Sequence, residues 1–314
     1  MLDLYSIGEM VIDFIPGSEP GSYVRNAGGA PANVAIAMTR NGLKAGMCCS
    51  VGADDFGRFL MKTLEENQVR RIKPGLCEEA ITTMAFVNLA ENGERTFTFA
   101  RKPGADMFLS EEDVKEEDIK ESCIIHAGSC SLSASPASEA TVRALKLGHE
   151  YKKLVSFDVN YRNLMWKDDQ EACAKAVLNL LPYVDILKIS EEEVDMLGGE
   201  AGLPELMERY SLTLIVETLG SAGAKCYFDG RVFSVEGKKA KAVDATGAGD
   251  AFWGGFLSSL RIQGVEQAGQ LTAEMIEKAL KYGNTAGWIC VQHKGAISSL
   301  PTRAEIEKYL SGEA

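Results

Sequence analysis

In Val243-Asp244-Ala245-Thr246-Gly247-Ala248-Gly249-Asp250-Ala251-Phe252-Trp253, three small residues stand directly before an apolar run that continues as a helix to Leu260. With no bulky side chains in the way, the free amides of Gly247, Ala248 and Gly249 can converge on a phosphate. Asp250 at the helix start is favoured in its ionised form by the helix dipole, close to where an alcohol could meet a terminal phosphate. Phosphoryl transfer needs positioning and charge stabilisation more than a strong base, so an ordinary carboxylate suffices. A blander reading stays open on these residues alone: a tight turn made by the glycines, with Asp250 as a helix cap. Neither the GxxxxGK[ST] loop nor the GxGxxG fingerprint occurs here, so neither common nucleotide pattern explains the segment.

Upstream, apolar runs of strand length recur at Leu4 to Ile7, Val11 to Ile15, Gly46 to Val51, Cys123 to Ala127, Leu154 to Phe157, Ile186 to Lys188 and Leu214 to Val216. Helix-length segments lie among them: Val34 to Arg40 with Pro31 in its first turn, a stretch through Glu66, Gln170 to Leu180 and Glu191 to Leu197. That rhythm predicts βαβ units and a mainly parallel sheet covered on both faces. Ser110 to Glu121 predicts a solvated helix. Phe228-Asp229-Gly230 predicts a hairpin, so antiparallel edge strands follow the parallel ones. Asn92-Gly93, between Ile81 to Leu89 and Arg95 to Phe99, predicts a second hairpin and marks a small lid. Helices are expected over Ala251 to Leu260 and Thr272 to Ala286. No repeat, low-complexity tract or clear two-domain boundary is evident.

The chain has 314 residues, 46% of them hydrophobic, enough for a large core without disulfide or metal. A net charge of -12 argues against nucleic-acid binding, so an anionic ligand needs a local cradle. The eight cysteines include the adjacent pair Cys48 and Cys49 and show no CxxC spacing; they are read as reduced, buried small residues. His126, His149 and His293 lie far apart, with no zinc-ligand pattern. The start MLDLYSIGEMVIDFIP has no basic leader region, and no apolar run approaches the roughly 18 residues of a bilayer span. A cytoplasmic location and no membrane partner are expected.

GGAPANVA at 28–35 and DATGAGDAFWGGF at 244–256 resemble the ribokinase-like (PfkB) family of carbohydrate kinases, and the likeness spans essentially the whole chain. Within the family, GEMVIDF at 8–14, RNAGGAPANVAIAMTRNG at 25–42, RKPGADMFL at 101–109, HAGSCSLS at 126–133 and FDVNYRNLMW at 157–166 are most similar to fructokinases. The resemblance implies a three-layer α/β/α sandwich with a mostly parallel central sheet, folded as one domain over 1–314. It also implies a small β lid from parts of about 11–25 and 82–103, through which a homodimer can form.

The resemblance implies transfer of the γ-phosphate of ATP to the primary hydroxyl of a sugar, D-fructose in particular, with Mg2+ and K+ as cofactors. Gly247, Ala248 and Gly249 become the phosphate-binding amides and Asp250 the base. The family's usual first Thr is Ala245 here, which removes a hydroxyl and leaves the amides. Arg162 would neutralise phosphoryl oxygens, while Asp158 and Asn160 would orient its loop or contact the sugar and magnesium-bound waters. Asp13, Gly28, Gly29, Asn33, Arg101 and Asn160 fall at sugar-binding positions. On the residues alone, Asp13 could equally be an exposed acid beside Phe14, Asn33 a helix-start residue and Arg101 a surface charge. Ser190 stands where the family's NxxE pattern has Asn, and Glu193 is retained, both toward nucleotide and magnesium waters. Thr218, Gly220 and Gly223 would lie under ribose and phosphates, and Asn284 and Gly287 beside the base. Asp244 and Thr246, with carbonyls of 292–299, would hold the potassium ion. The alternatives are a 2-keto-3-deoxygluconate kinase, which needs an added positive group for the acid, and a catalytically silent sugar binder of the same fold.

Overall fold

The structure is a computed structural model that describes residues 1–19, 21–73, 75–89 and 95–312. Its first half runs β1 (Leu2–Ile7), β2 (Val11–Pro16), β3 (Tyr23–Gly28), α1 (Ala30–Arg40), β4 (Ala45–Cys48), α2 (Asp55–Glu66), β5 (Arg70–Arg71), β6 (Met84–Leu89), β7 (Arg95–Ala100), α3 (Glu116–Lys120), β8 (Ser122–Gly128) and α4 (Ala137–Glu150). Then follow β9 (Leu154–Asp158), α5 (Gln170–Leu180), β10 (Ile186–Ser190), α6 (Leu203–Tyr210), β11 (Leu214–Thr218), β12 (Gly223–Phe228), β13 (Arg231–Glu236), α7 (Ala248–Ile262), α8 (Ala273–Cys290) and α9 (Arg303–Leu310).

Nine strands form the central sheet in the order β13-β12-β11-β10-β9-β8-β1-β4-β5. From β11 to β5 every pairing is parallel; β12 and β13 close one edge antiparallel. Consecutive side chains of a strand alternate between faces, and the core follows that period. Leu4, Ile124, Leu154, Ile186 and Leu214 pack with α1, α2, α7 and α8. Their neighbours Tyr5, Ile125, Val155, Leu187 and Ile215 pack with α4, α5 and α6 on the other face. The expected three-layer α/β/α arrangement is therefore present. Residues just past the carboxyl ends of β1, β9, β10 and β11 face one cleft, the usual ligand position in such sheets.

A second sheet, in the order β3-β2-β6-β7, crosses the mouth of that cleft. Residues 23–28 form a strand, because Asn26 pairs in register with Asp13 and Gly28 with Val11. The turn is confined to Gly29, at φ 115, where a Cβ would approach Glu9 O to 2.5 Å. The Asn92-Gly93 hairpin lies outside the described residues.

Two further expectations change. Residues 110–121 are not one helix: Ser110 and Asp113 form a capping box around a single short turn, and α3 starts afresh at Glu116. Residues 191–197 make turns and a short 3-10 helix from Val194, because the Glu193 carboxylate folds back to accept from Ser190 N at 2.9 Å.

Candidate active site

Helix α7 is apolar nearly all round and buried from Asp250 to Leu260, with Trp253 and Phe256 stacked at 4.8 Å between their ring centres. It begins at Ala248, so Ala248 and Gly249 form the first turn and Gly247, at φ 78, turns the chain into it. A Cβ on Gly247 would come within 2.9 Å of Ala296, which fixes this position as glycine on steric as well as conformational grounds. The turn is braced from behind. Asp244 Oδ1 accepts from Thr246 N at 3.0 Å and from Thr246 Oγ at 2.7 Å, and Asp244 Oδ2 accepts from Gly295 N at 3.0 Å.

Where α1 crosses α7 at Gly254, whose missing side chain leaves room for Ala37, Asn33 and Asp250 meet across 217 positions of chain. Asn33 Nδ2 donates to Asp250 Oδ2 at 2.7 Å. Burial pushes the Asp250 carboxyl up to about 6, against the lowering effect of Asn33 and of the positive charges of Arg162 and Lys188. An accepting carboxylate near neutrality, on the first turn of a helix whose Ala248 N–H is held by Ala245 O at 3.2 Å, suits proton removal from an alcohol. The Asn33 Oδ1 oxygen is buried without a partner and is available to a ligand hydroxyl.

Past β9, Asn160 adopts a left-handed conformation, φ 38, that turns the 158–162 loop into the cleft. Arg162 stands on this loop, exposed, with Nη1 donating to Tyr161 O at 3.1 Å. Asp158 Oδ2 accepts from Lys188 Nζ at 2.8 Å in a buried ion pair, while Asp158 Oδ1 and Asn160 Oδ1 have no partner. Glu193 accepts from Tyr161 N at 2.7 Å and from Ser190 N at 2.9 Å, tying the β9 loop to the β10 loop. Ser190 lines the cleft beside it.

Asp13 lines the opposite wall. Burial raises its carboxyl to about 6, moderated by Arg162 and assisted by the charge of Asp250. Gly28 does not face the cleft; a side chain there would collide with Asp13 Oδ2, so this glycine shapes the site through Asp13. Gly29 does line it. Between the two walls, Val11, Cys130, Met165 and the half-buried Phe99 make an apolar patch.

The other arm of the cleft carries Thr218, Gly220, Gly223, Asn284 and Gly287. Asn284 Nδ2 donates to Val235 O at 3.2 Å, and Trp288 Nε1 to Lys239 O at 2.9 Å, which fastens the segment after β13 along α8. The whole cleft has a volume of about 1930 Å3, room for two ligands side by side.

Arg101 is not brought to this cleft. Its guanidinium is paired with Asp106 at 2.7 Å and donates to Ser133 Oγ at 3.1 Å, and it borders a separate hollow of about 630 Å3. Two cleft residues went unnoticed in the sequence. Lys188 is the one charge in the strand Ile186–Ser190, and a lysine inside a run that reads as a fully buried parallel strand is the available signal. Glu9 follows the first strand; its Oε1 accepts from Ala30 N at 3.2 Å, its Oε2 has no partner, and burial lifts its carboxyl to about 7.

No group of three or more His, Cys, Asp or Glu suited to a metal ion occurs among the described residues. The Asp244 carboxylate and the Thr246 hydroxyl and carbonyl supply hard oxygen donors at the turn before α7. Among the described residues no helix is long and apolar enough to cross a membrane.

Comparison with known proteins agrees with the geometry. Residues 1–303 match the pfkB family carbohydrate kinase pattern. Fructokinase-1 of Oryza sativa subsp. japonica is 38% identical over 316 residues, covering 97% of this chain and 96% of that one. The fructokinase of Xylella fastidiosa with bound ATP superposes with a TM-score of 0.93 at 28% identity, covering 100% of this chain and 99% of that one. The Vibrio cholerae O395 fructokinase in its fructose-, ADP- and calcium-bound form gives a TM-score of 0.87 at 34% identity over 98% of both chains. A double mutant of the same protein has been solved with fructose, ADP and a potassium ion.

Proposed function

This chain belongs to the PfkB family of carbohydrate kinases, and we propose that it phosphorylates the C6 hydroxyl of D-fructose with ATP. The observation that carries the reading is the meeting of Asp250, Asn33 and the first turn of α7 in the cleft.

Fructose lies in the arm between Asp13 and Asn33. Asp13 accepts from two neighbouring hydroxyls, and Asn33 Oδ1 accepts from another. ATP lies in the other arm, its base against Asn284 and Gly287 and its phosphates over Gly220 and Gly223. Asp250 Oδ1 takes the proton of the C6 hydroxyl, while Asn33 holds Oδ2 and so fixes the plane of the carboxylate. The amides of 247–249 and the Arg162 guanidinium meet the oxygens of the transferred group. Glu193 keeps the Arg162 loop in place through Tyr161 N. Magnesium would enter with the nucleotide, meeting waters near Asn160 and Glu193, and supplies charge neutralisation of the phosphates. Potassium beside Asp244 and Thr246 would stiffen the turn that presents the amides. The small sheet serves as the lid of a single domain and as the surface for a homodimer.

An acid sugar such as 2-keto-3-deoxygluconate would need a cation at the far end of its arm. Arg101, the candidate for that job, is committed to Asp106, and the wall there is the apolar patch of Val11, Cys130 and Met165. A panel of fructose, glucose, mannose, ribose, adenosine and 2-keto-3-deoxygluconate, followed by ADP release with MgATP and potassium, tests the reading. Fructose is expected to give the highest kcat/KM; a higher value for the acid sugar overturns the assignment, and no ADP release with any acceptor points to a silent binder.

A further inference from the structure

Lys188 poses a question that sugar and nucleotide binding leave unanswered. It projects from a central strand into the layer between the sheet and α7, and its side chain is almost wholly buried. Nζ is 2.8 Å from Asp158 Oδ2 and 3.7 Å from where a Cβ on Gly249 would stand, so the ammonium lies against the residue that precedes Asp250. A buried ion pair is a weak source of stability, because desolvation offsets most of its attraction. A role in the field of the site accounts better for its place.

We infer that Lys188 is a positioning residue of the transfer site: pinned by Asp158 behind Gly249, its ammonium is a fixed positive charge that faces the Asp250 carboxylate and offsets the arriving phosphoryl oxygens. The inference rests on the kinase reading for the second part of that role only.

The charged groups around Asp250 come from every layer. Asp158 and Lys188 come from the sheet, and Glu193 and Arg162 from the loops after it. Asp13 comes from the small sheet, and Cys290 from α8. His126, in the same buried row as Ser156 and Trp253, is held neutral by burial, which lowers its imidazole to about 4. The carboxylates Asp158, Glu193, Asp13 and Asp250 therefore face two cations. Arg162 stands on an exposed loop, and Lys188 is locked in the sheet. Burial opposes the charge on Lys188, yet the carboxylate of Asp158 prevails and holds its ammonium above the ordinary range. A cation fixed before substrate arrives needs no reorganisation during transfer.

The pair can be broken from either side, and the two breaks have opposite electrostatic consequences. Lys188→Met removes a positive charge from the surroundings of Asp250, and Asp158→Asn removes a negative one. The readout is the carboxyl titration of Asp250 by carbon-13 NMR on protein without ligands, assigned by the signal missing in Asp250→Asn. The wild-type midpoint is expected near 6. Lys188→Met should raise it, Asp158→Asn should lower it, and Lys188→Arg should return it toward the wild-type value. The acid limb of kcat should move in the same directions.

Should Lys188→Met fail to fold, the double variant Lys188→Met/Asp158→Asn leaves no unpaired charge, and its midpoint must exceed that of Asp158→Asn alone. An unmoved midpoint, or movement in one direction for both single variants, overturns the inference and leaves the pair as a structural bond. Because the titration needs neither sugar nor ATP, it stands apart from the acceptor panel, which alone decides the kinase reading.

Discussion

The two sheets of this protein differ in how firmly they are held, and the site is divided between them. In the central sheet all seven residues of β8 are buried. In the small sheet Tyr23, Val24 and Arg25 of β3 are exposed. The small sheet rests on α2 through a few contacts: Phe14 on Phe56, edge to face at 5.6 Å, and the Arg25 guanidinium 3.9 Å over the Phe59 ring. Asp250, Asn33, Asp158 and Lys188 belong to the firm part, and Asp13 to the lightly held part. The groups proposed for proton and phosphoryl transfer thus sit on scaffold that cannot shift without opening the core, while the proposed acceptor for sugar hydroxyls sits on the more lightly packed piece.

The largest expected effect comes from the firm side. Asp250→Asn should reduce kcat by about 100-fold or more, the scale of a lost proton acceptor, while calorimetric ATP affinity stays near wild type. Retained turnover would remove Asp250 from the base role. Asp13→Ala tests the other side: loss of charge-assisted hydrogen bonds, about 1.5–3 kcal/mol, should reduce kcat/KM for fructose by about 10- to 100-fold with ATP affinity unchanged. Equal damage toward both substrates would make Asp13 a support of the small sheet instead.

The sequence announced these two parts unequally. Most of the parallel sheet was legible because its longer strands are mainly apolar runs followed by a loop bearing Gly or Asp, a local pattern; β5, only Arg70–Arg71, carries no such signal. Gly247, Gly249 and Asp250 were legible for the same reason, as small residues abutting an apolar helix. The bond between Asn33 and Asp250 was not, since it depends on two helices crossing closely at Gly254, far away in sequence. Arg101 looked chemical because of its neighbours in the chain, yet Asp106, five residues on, captures it. Lys188 and Glu9 stayed hidden because a charge in or just after a short apolar run reads as the strand's limit, and only the three-dimensional cleft shows that both border it.

A smaller effect concerns pH. Asp250 and Asp13 are both raised to about 6 by burial, so kcat/KM should fall as pH drops through about 6 and the base takes up its proton. The stability sign is opposite. A carboxyl whose folded value lies above its unfolded one makes the folded state bind more protons. Its stabilising contribution is present at low pH and lost as pH rises through the folded value. Asp250→Asn should therefore melt at or above the wild-type Tm at pH 7.5, and the difference should shrink toward pH 5. A variant that melts lower at pH 7.5 and gains nothing on acidification would show that the Asp250 carboxylate supports the fold in its ionised form.

The smallest effect, in free energy, is the closure of the small sheet itself. Transfer to a sugar in place of water requires bulk solvent to leave the cleft, and a lightly packed sheet that carries a sugar ligand can couple occupancy to closure. Ala85 and Val87 of β6 line the cleft from this sheet, so a bound sugar would touch them as well as Asp13. Hydrogen exchange over residues 82 to 89 and 95 to 99 should slow when fructose and a nonhydrolysable ATP analogue are added together, and slow more than over 273 to 290 of α8, whose amides are already held in the core. Fructose alone should give part of the protection, because Asp13 is reached from the sugar arm. The nucleotide alone should give little there, because its arm is built from the late loops. If calorimetry confirms that sugar is bound and exchange in β6 and β7 does not change, the sheet is a static wall. The contrast between a firm and a mobile half would then be one of packing density without a part in catalysis.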